Sequence, residues 1–279
     1  MTVAVSLNLS EGVILGADSA TSVLAIGGGV AKVYENADKI FQLGDRPVGI
    51  ATYGLGGLGG RTVGSYLREF EVTKSDSCSK VLPDLVEDLR AFYLATYMSE
   101  VAPTLEQQHG KPFDQLQADQ IVSLGLIVGG FSPNAYLSEV WNIEVPTNKD
   151  PGSAQEVRGK GDFGTNWYAL ADPIRRYVKG WDPAMMDAVS THFQTILGRP
   201  LTSTESQEII DIMEKHEYGV PFAAMPMQEG IAYTRFLIQL VIGHHRYVAM
   251  GAPVVGGRIK LGRVSYHGEP FQIIEGLGA

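Results

Sequence analysis

The first eighteen residues constrain the fold of this chain more than any other stretch. Residues 3–9 alternate between large aliphatic side chains and smaller ones, and residues 13–18 alternate again after Ser10-Glu11-Gly12. Period-two alternation is typical of β-strands, and two such runs joined by a short connection containing glycine predict an antiparallel hairpin. The chain therefore begins with a strand pair that needs a hydrophobic partner layer.

The pairing register of this hairpin decides which polar side chains meet at its open end. If Leu9 pairs with Val13, Thr2 lies opposite Ala20, and Asp18 is the diagonal neighbour of Thr2 on the same face. Diagonal neighbours lie about 7–8 Å apart, within reach of interacting side chains. This register predicts a hydroxyl and a carboxylate side by side.

A second hairpin brings a lysine to the same place. Residues 39–43 and 48–52 flank the turn Gly44-Asp45-Arg46-Pro47, and pairing Leu43 with Val48 puts Lys39 near Thr52 at the open end. Lys32 is the competing lysine, but no strand pattern follows it. Open ends lying side by side would collect Thr2, Asp18 and Lys39.

The rest of the chain alternates between strand and helix patterns. Helical spacing is found at residues 63–70, 82–93, most of 168–217, and 228–246, and strand patterns at 121–129, 137–145, 257–265 and 270–274, with a polar connection at 103–118. This order predicts an α+β layered fold with mostly antiparallel sheets. No linker is evident, so we expect one domain over residues 1–279 with a helical insertion at about 168–227.

A threonine, a lysine and an aspartate in contact have a chemical use. A threonine hydroxyl is a weak nucleophile and needs a base, and a free N-terminal amine, with a reference pKa of about 7.7–8.0, can be that base. A lysine beside the hydroxyl favours its deprotonation, while an aspartate positions the lysine. The glycine-rich turn beginning at Gly54 could offer a backbone N–H to an oxyanion.

The composition of the chain argues against several other classes of function. The chain has 279 residues, a net charge of −9 and a single cysteine, Cys78. Its basic residues are scattered, so we expect no nucleic-acid partner, and we expect no disulfide framework, metal or cofactor. The turn at residues 54–60 lacks the Lys-Ser/Thr that completes a phosphate-binding P-loop. Without an apolar run of membrane length or a signal-peptide pattern, a cytoplasmic protein without a membrane partner is expected.

These motifs together resemble those of a known family. Thr2-Val3-Ala4-Val5, the stretch Gly12–Ser19 and Lys39-Ile40-Phe41-x-Leu43 are similar to the start of proteasome β-type subunits, which are N-terminal-nucleophile (Ntn) hydrolases and include the Anbu-type bacterial homologues. Asp18 follows the threonine by sixteen residues, as in the family motif. Gly49-Ile50-Ala51 with the Gly54 turn, and Val255–Ile259, resemble later family segments.

The resemblance implies a fold, an activity and an assembly. The fold would be a four-layer αββα sandwich, and the activity that of a threonine-type peptidase that becomes active when Met1 is removed. It implies Thr2, Asp18 and Lys39 as catalytic residues and Gly54 near the oxyanion. Peptide or unfolded-protein substrates, a homo-oligomeric ring or stacked assembly and a separate unfoldase would be its partners. The residues expected to bind substrate are Ala20, Thr21, Ser22, Ala51 and Thr52, with the backbone of Thr21 or Ser22 pairing with the substrate as an added strand.

Two alternatives stay open at the level of sequence. A small-molecule amidase or acylase on the same fold is one, because a helical insertion can reshape a pocket. A non-catalytic ring-forming scaffold is the other, because the family's supporting Ser–Asp pair has no clear match and only Asp162 lies near the expected place of another supporting residue. A retained Met1 would favour the scaffold.

Overall fold

A computed structural model describes residues 2–24, 30–146, 152–248 and 255–275 of the chain. Its strands are β1 (Val3–Leu9), β2 (Gly12–Asp18), β3 (Thr21–Leu24), β4 (Val30–Tyr34), β5 (Ile40–Gln42), β6 (Val48–Gly54), β7 (Gly57–Leu58), β8 (Arg61–Thr62), β9 (Leu124–Gly130), β10 (Glu139–Val145), β11 (Ser153–Arg158), β12 (Gly164–Ala169), β13 (Ile259–Ser265) and β14 (Phe271–Glu275). Its α-helices are α1 (Val63–Thr73), α2 (Leu82–Glu100), α3 (Ala102–His109), α4 (Asp172–Lys179), α5 (Pro183–Leu197), α6 (Ser203–Glu214) and α7 (Met227–Tyr247).

Two antiparallel five-stranded sheets form the centre of the molecule. The first sheet has the strand order β12-β1-β2-β13-β14, and the second has the order β11-β10-β9-β6-β5. The chain's last strands lie beside its second, since β13 pairs with β2 from Ile259 opposite Asp18 to Ser265 opposite Gly12. Residues from both ends of the sequence thereby lie side by side in the interior of the first sheet.

Helices cover the outer faces of both sheets, which gives four layers. Side chains of α7 and α4 pack with the outward residues of β1 and β2, while α1 and α2 pack with those of β6, β9 and β10. The inward residues of the two sheets form a third core, which includes Ala4, Leu15, Ala51, Ile127 and Val264. The α+β, αββα sandwich expected from the sequence is confirmed.

The first hairpin has a different register from the one expected. Leu9 pairs with Gly12 rather than Val13, and only Ser10 and Glu11 form the turn. The reason lies in the third strand of the sheet, because Gly12 has φ +143° and a Cβ there would collide with the Val264 carbonyl oxygen. The glycine is needed for strand packing and so belongs to β2, not to the turn.

Other elements also depart from the sequence pattern. The strand β12 ends at Ala169, so the helical stretch begins at Asp172 rather than 168, and neither β11 nor β12 was expected. The expected polar connection at 103–118 contains the helix α3. The second hairpin is as expected, with Ile40 opposite Ala51 and with the Leu43 N–H donating to the Val48 carbonyl at 3.0 Å.

Candidate active site

Thr2 lies immediately before the first residue of β1, at the end of the strand that faces the cleft described below. Its carbonyl oxygen accepts a hydrogen bond from the Leu170 N–H at 3.1 Å, just beyond the end of β12. Its side chain is almost fully buried, and its hydroxyl contacts the Lys39 amine. Met1, whose removal the sequence reading requires, lies outside the described residues.

Backbone N–H groups from three segments surround the Asp18 carboxylate. Oδ1 accepts from the Val3 N–H at 3.1 Å, and Oδ2 accepts from the N–H groups of Ala20 at 3.2 Å and Gly256 at 3.1 Å. A buried carboxylate needs such donors, because an unsolvated charge without partners is strongly unfavourable. These backbone donors therefore hold the carboxylate in position without help from any side chain.

Lys39 joins the threonine to the aspartate. Its Nζ lies 2.9 Å from Asp18 Oδ1 and 2.6 Å from the Ala20 carbonyl oxygen, and it also contacts Thr2 Oγ1. The amine is held there because the Thr52 N–H donates to the Lys39 carbonyl at 2.9 Å, which extends the β5–β6 pairing by one residue. Asp18 reaches the Thr2 hydroxyl through this amine.

Two opposing effects act on the protonation of Lys39. Burial lowers its pKa below the usual value, because a desolvated ammonium is unfavourable, and the Asp18 carboxylate counteracts this effect. An ammonium would donate its three protons to Thr2, Asp18 and Ala20. A neutral amine would keep the bonds to Asp18 and Ala20 and accept the hydroxyl proton of Thr2. Both forms are therefore compatible with the three contacts.

A cleft of about 480 Å³ opens directly over Thr2 and Lys39. Its remaining lining residues are Thr21, Asn36, Ala37, Asp38, Phe41, Thr52, Tyr53, Gly54, Leu55, Gly56, Thr62 and Gly64. Of the residues expected to contact substrate, Thr21 and Thr52 thus lie on the cleft wall. The side chains of Ala20 and Ala51 are buried instead, and Ala51 belongs to the core between the sheets.

The segment after Asp18 forms a small sheet beside the cleft. The strand β3 pairs with β4, with Thr21 opposite Tyr34 and Ser22 opposite Val33. In residues 2–24, 30–146, 152–248 and 255–275, β4 is the only strand next to β3. The other edge of β3 therefore has no strand partner among these residues.

Gly54 ends β6 at the cleft wall in a left-handed conformation. Its φ is +78°, and a Cβ there would collide with the Ser123 carbonyl oxygen. The next N–H, that of Leu55, donates to this same oxygen at 3.1 Å. A glycine is thus required by the backbone, and the expected oxyanion role of this turn stays a prediction.

Three contacts at the site were not anticipated from the sequence. The Gly256 N–H binds Asp18, the Leu170 N–H binds Thr2, and Ser19 Oγ accepts from the Arg258 N–H at 2.7 Å while donating to the Glu35 carbonyl. The adjacent glycines 256 and 257 were the available signal, since they were recognised as a turn without a partner. No sequence pattern indicated Leu170, because its hydrogen bond to Thr2 is made by the backbone and does not depend on the side chain.

Two other sequence candidates lie away from the site. Lys32 is exposed and its amine sits over the Tyr34 ring at 4.6 Å, so Lys39 is the lysine that meets Asp18. Asp162 accepts from the Asn8 side chain at its carbonyl oxygen. Since Asn8 is at the far end of β1, Asp162 lies about 20 Å from Thr2 at 3.3 Å per strand residue, too far to contact the candidate site.

Among the described residues, no helix combines the length and apolar character needed to cross a bilayer. Likewise, within those residues no three His, Cys, Asp or Glu side chains come together as a metal site would require.

Comparison with known proteins gives a fold but no family assignment. No protein-family model matches the chain, and no curated protein does. Among solved structures, it is similar to an Anbu (Gly-1) mutant from Hyphomicrobium sp. strain MC1, with a TM-score of 0.52 and 12% sequence identity. The alignment covers 99% of this chain and 86% of that one. At this identity the likeness concerns the fold.

Proposed function

We propose that this chain is a threonine-type N-terminal-nucleophile peptidase that acts after Met1 is removed. The observation that carries the proposal is the Lys39 amine, which binds the Thr2 hydroxyl, the Asp18 carboxylate and the Ala20 carbonyl at once. All three residues are at most 6% exposed, and a cleft opens on the hydroxyl. A buried lysine in contact with a threonine at the edge of a cleft is costly to keep for structure alone.

The proposed reaction begins with proton transfer from the Thr2 hydroxyl to the free α-amine of the same residue. The oxygen attacks the substrate's carbonyl carbon, and an N–H of the turn at Gly54 stabilises the oxyanion. The amine returns the proton to the leaving nitrogen, the C–N bond breaks and an ester to Thr2 remains. Water then hydrolyses this ester with the same amine as base.

Lys39 and Asp18 prepare the hydroxyl for this step. In its ammonium form Lys39 stabilises developing negative charge on Oγ1, and Asp18, bound by Val3, Ala20 and Gly256, prevents the amine from turning away. The lowered pKa of Lys39 brings its neutral form closer to the working pH. The Lys39 ammonium and the α-amine of Thr2 then both favour loss of the proton from the Thr2 hydroxyl.

The free edge of β3 suits an extended substrate. A peptide lying beside Thr21 and Ser22 would pair with their backbone groups and reach Thr2 through the cleft. Main-chain pairing gives affinity without demanding a particular side chain. This arrangement favours peptides and unfolded proteins as substrates.

The small-molecule amidase was motivated by a helical insertion that could reshape the pocket. Among the described residues the cleft is lined by positions between 2 and 64, and none of these belongs to α4, α5 or α6, which supports the peptidase proposal. A retained Met1 would favour a non-catalytic scaffold, since the α-amine of Thr2 is then part of a peptide bond. Intact mass is therefore the first measurement to make.

Substitution of Thr2 tests the proposal directly. Thr2→Ala should abolish hydrolysis of fluorogenic acyl-peptide amides, while Thr2→Ser should retain a substantial part of it. Thr165→Ala is a matched control, because Thr165 is also buried in the first sheet and its hydroxyl binds the Ser6 carbonyl at 3.1 Å. Equal activity in Thr2→Ala and the wild type, or a mature protein that keeps Met1, would refute the mechanism.

A further inference from the structure

One edge strand of each sheet lies on the same side of the molecule. As far as the described residues extend, β5 pairs only with β6 and β14 pairs only with β13. The two edges meet over β13, because a Cβ at Gly262 would lie 2.7 Å from the Ile40 side chain and 3.0 Å from that of Phe271. Both of these side chains are buried in the core between the sheets. The two open edges therefore share one apolar floor.

A groove of about 730 Å³ lies between these two edges and the helix α1. It is called the edge groove below. Residues of β5 and β14 form its walls together with one face of α1, and Ile273 of β14 is 42% exposed there. Ligand sites typically measure about 300–1,000 Å³, so the edge groove has room for a ligand.

The edge groove is continuous with the cleft over Thr2. Asp38, Phe41 and Gly64 line both cavities. The Phe41 ring lies against the backbone of Gly64, where a Cβ would be 2.6 Å from the ring, so this ring marks the boundary between the two cavities. The last residue of β5 is Gln42, about 10 Å from Lys39 at 3.3 Å per strand residue. A peptide that reacts in the cleft therefore needs roughly three or four further residues to reach the end of β5.

The backbone of β5 can form hydrogen bonds with such a peptide. The Lys39 carbonyl and the Leu43 N–H bond to the β6 side, at 2.9 and 3.0 Å. Hydrogen-bonded pairs alternate along antiparallel strands, so the backbone groups of Ile40 and Gln42 point away from β6. An extended peptide beside β5 would pair with these groups as an added strand.

The charges of the edge groove leave a small acidic excess. Its charged lining residues are Asp38, Glu71, Glu269, Glu275, Arg68 and Lys260. Arg68 pairs with Glu71 at 2.9 Å, and Lys260 pairs with both Asp38 and Glu275. Arg258, which is outside the lining, also lies 3.9 Å from Glu275. In the part of the chain that the structure describes, Glu269 has no ion-pair partner, so its carboxylate is the charge left for a ligand.

We propose that the edge groove binds the part of a peptide substrate that extends beyond the cleft, as a strand added to β5. A basic side chain opposite Glu269 is favoured over an acidic one. The proposal rests on the proposed function and narrows its substrates to chains long enough to occupy both the cleft and the groove. Unfolded protein segments meet this requirement, whereas small amides do not.

Peptide length tests the groove through hydrolysis. Internally quenched peptides are extended from one to five residues on each side of the reacting bond in turn. Extension on at least one side should lower KM about tenfold with little change in kcat, because the groove binds the ground state and the transition state alike. Tenfold corresponds to about 1.4 kcal/mol, the contribution of one or two hydrogen bonds.

Two substitutions at one position separate the backbone from the side chain. Gln42→Pro removes an N–H on the open edge, a change that edge strands tolerate, whereas Gln42→Ala keeps this N–H. Extension should lower KM about tenfold in Gln42→Ala, as in the wild type, and should have a clearly smaller effect in Gln42→Pro. Equal length dependence in the two variants would overturn the proposal, and thermal unfolding checks that both are folded.

Substrate charge gives a second test that does not depend on Gln42→Pro. With lysine or glutamate at the end of the extension, the wild type should bind the lysine peptide more tightly, and Glu269→Lys should reverse the preference. Glu208→Lys is the matched control, because Glu208 is exposed on α6, and it should keep the wild-type preference. The same preference in Glu269→Lys and the wild type would contradict the role of Glu269.

Binding without chemistry distinguishes failure of the groove from failure of the proposed function. A wild type that cleaves none of the peptides refutes the proposed function, but Thr2→Ala should still bind the labelled long peptide in fluorescence anisotropy. Adding Gln42→Pro to Thr2→Ala should weaken this binding about tenfold, and unchanged affinity would overturn the groove proposal. A loss of oligomeric mass in Gln42→Pro with unchanged peptide binding would assign the open edge to a second copy instead.

Discussion

The strongest quantitative prediction concerns the coupling between Asp18 and Lys39. Both side chains are at most 7% exposed, and their charged atoms lie 2.9 Å apart. Removing one partner of a buried ion pair typically destabilises a protein by about 3–5 kcal/mol, because the other charge is left without compensation. A double-mutant cycle with Asp18→Asn and Lys39→Met separates this coupling from other effects of each substitution.

The contacts around Asp18 set the expected magnitudes. In Lys39→Met the carboxylate keeps its three backbone N–H donors, so we expect a loss near the lower end, about 3 kcal/mol. In Asp18→Asn the amide NH₂ must face a donor in either orientation, because each carboxylate oxygen accepts from at least one N–H. We therefore expect about 4–5 kcal/mol. The double variant should lose about 2–3 kcal/mol less than the sum.

Urea unfolding at neutral pH measures these differences, provided that the slope with denaturant is the same in all four proteins. A control cycle uses the surface pair Lys80–Asp88, which has a short contact of 2.6 Å but side chains 42% and 30% exposed. Exposed pairs contribute about 0–1 kcal/mol, so Lys80→Met and Asp88→Asn should show little coupling. If the buried cycle gave less than about 0.5 kcal/mol, or no more than the control, the inference that this pair is electrostatically coupled would be wrong.

Two further predictions concern pH and backbone geometry. Because burial lowers the pKa of Lys39 in the folded state, the unfolded chain holds this proton to higher pH. The Lys39 contribution to stability should therefore increase as the pH rises from the folded pKa towards 10.5. Urea unfolding across alkaline pH should show this as a growing difference in the free energy of unfolding between the wild type and Lys39→Met, because buried tyrosines with raised pKa values lower the stability of both proteins alike. Gly257→Ala should destabilise by about 1–3 kcal/mol, since Gly257 has φ +74° and a Cβ would lie 2.5 Å from the Glu35 carbonyl oxygen. Gly219→Ala, where nothing lies within 4 Å, is its control in thermal unfolding, and equal losses in both would contradict the steric argument.

The two N-terminal hairpins show what a sequence pattern can determine. Alternation located both strand pairs. For the second hairpin it also gave the correct register, because that register depends only on the residues of its own turn. In the first hairpin the pattern misassigned Gly12, whose conformation depends on the Val264 carbonyl of a strand about 250 positions later in the chain. Register depends on such neighbours, which no local pattern contains.

Part of the candidate site could be predicted from the sequence for the same reason. Thr2, Asp18 and Lys39 could be brought together from the sequence because each stands at the open end of a local hairpin. The diagonal contact of Asp18 with Thr2 was wrong, since Leu9 pairs with Gly12, and the two side chains meet through Lys39 instead. The backbone donors at Leu170 and Gly256 could not, because they depend on pairing between distant segments. The helices α5 and α6 could be located from their periodicity, but periodicity does not say whether an apolar face is covered by the same chain.

The three backbone N–H donors around Asp18 also determine at what stage of synthesis the site around this carboxylate can form. They come from residues 3, 20 and 256, so the carboxylate lacks one of its ligands until nearly the whole chain has left the ribosome. Until residue 256 is in place, the carboxylate is bound only by the N–H groups of Val3 and Ala20. The arrangement of the proposed active site is therefore completed only when β13 has paired with β2 and has brought Gly256 to Asp18.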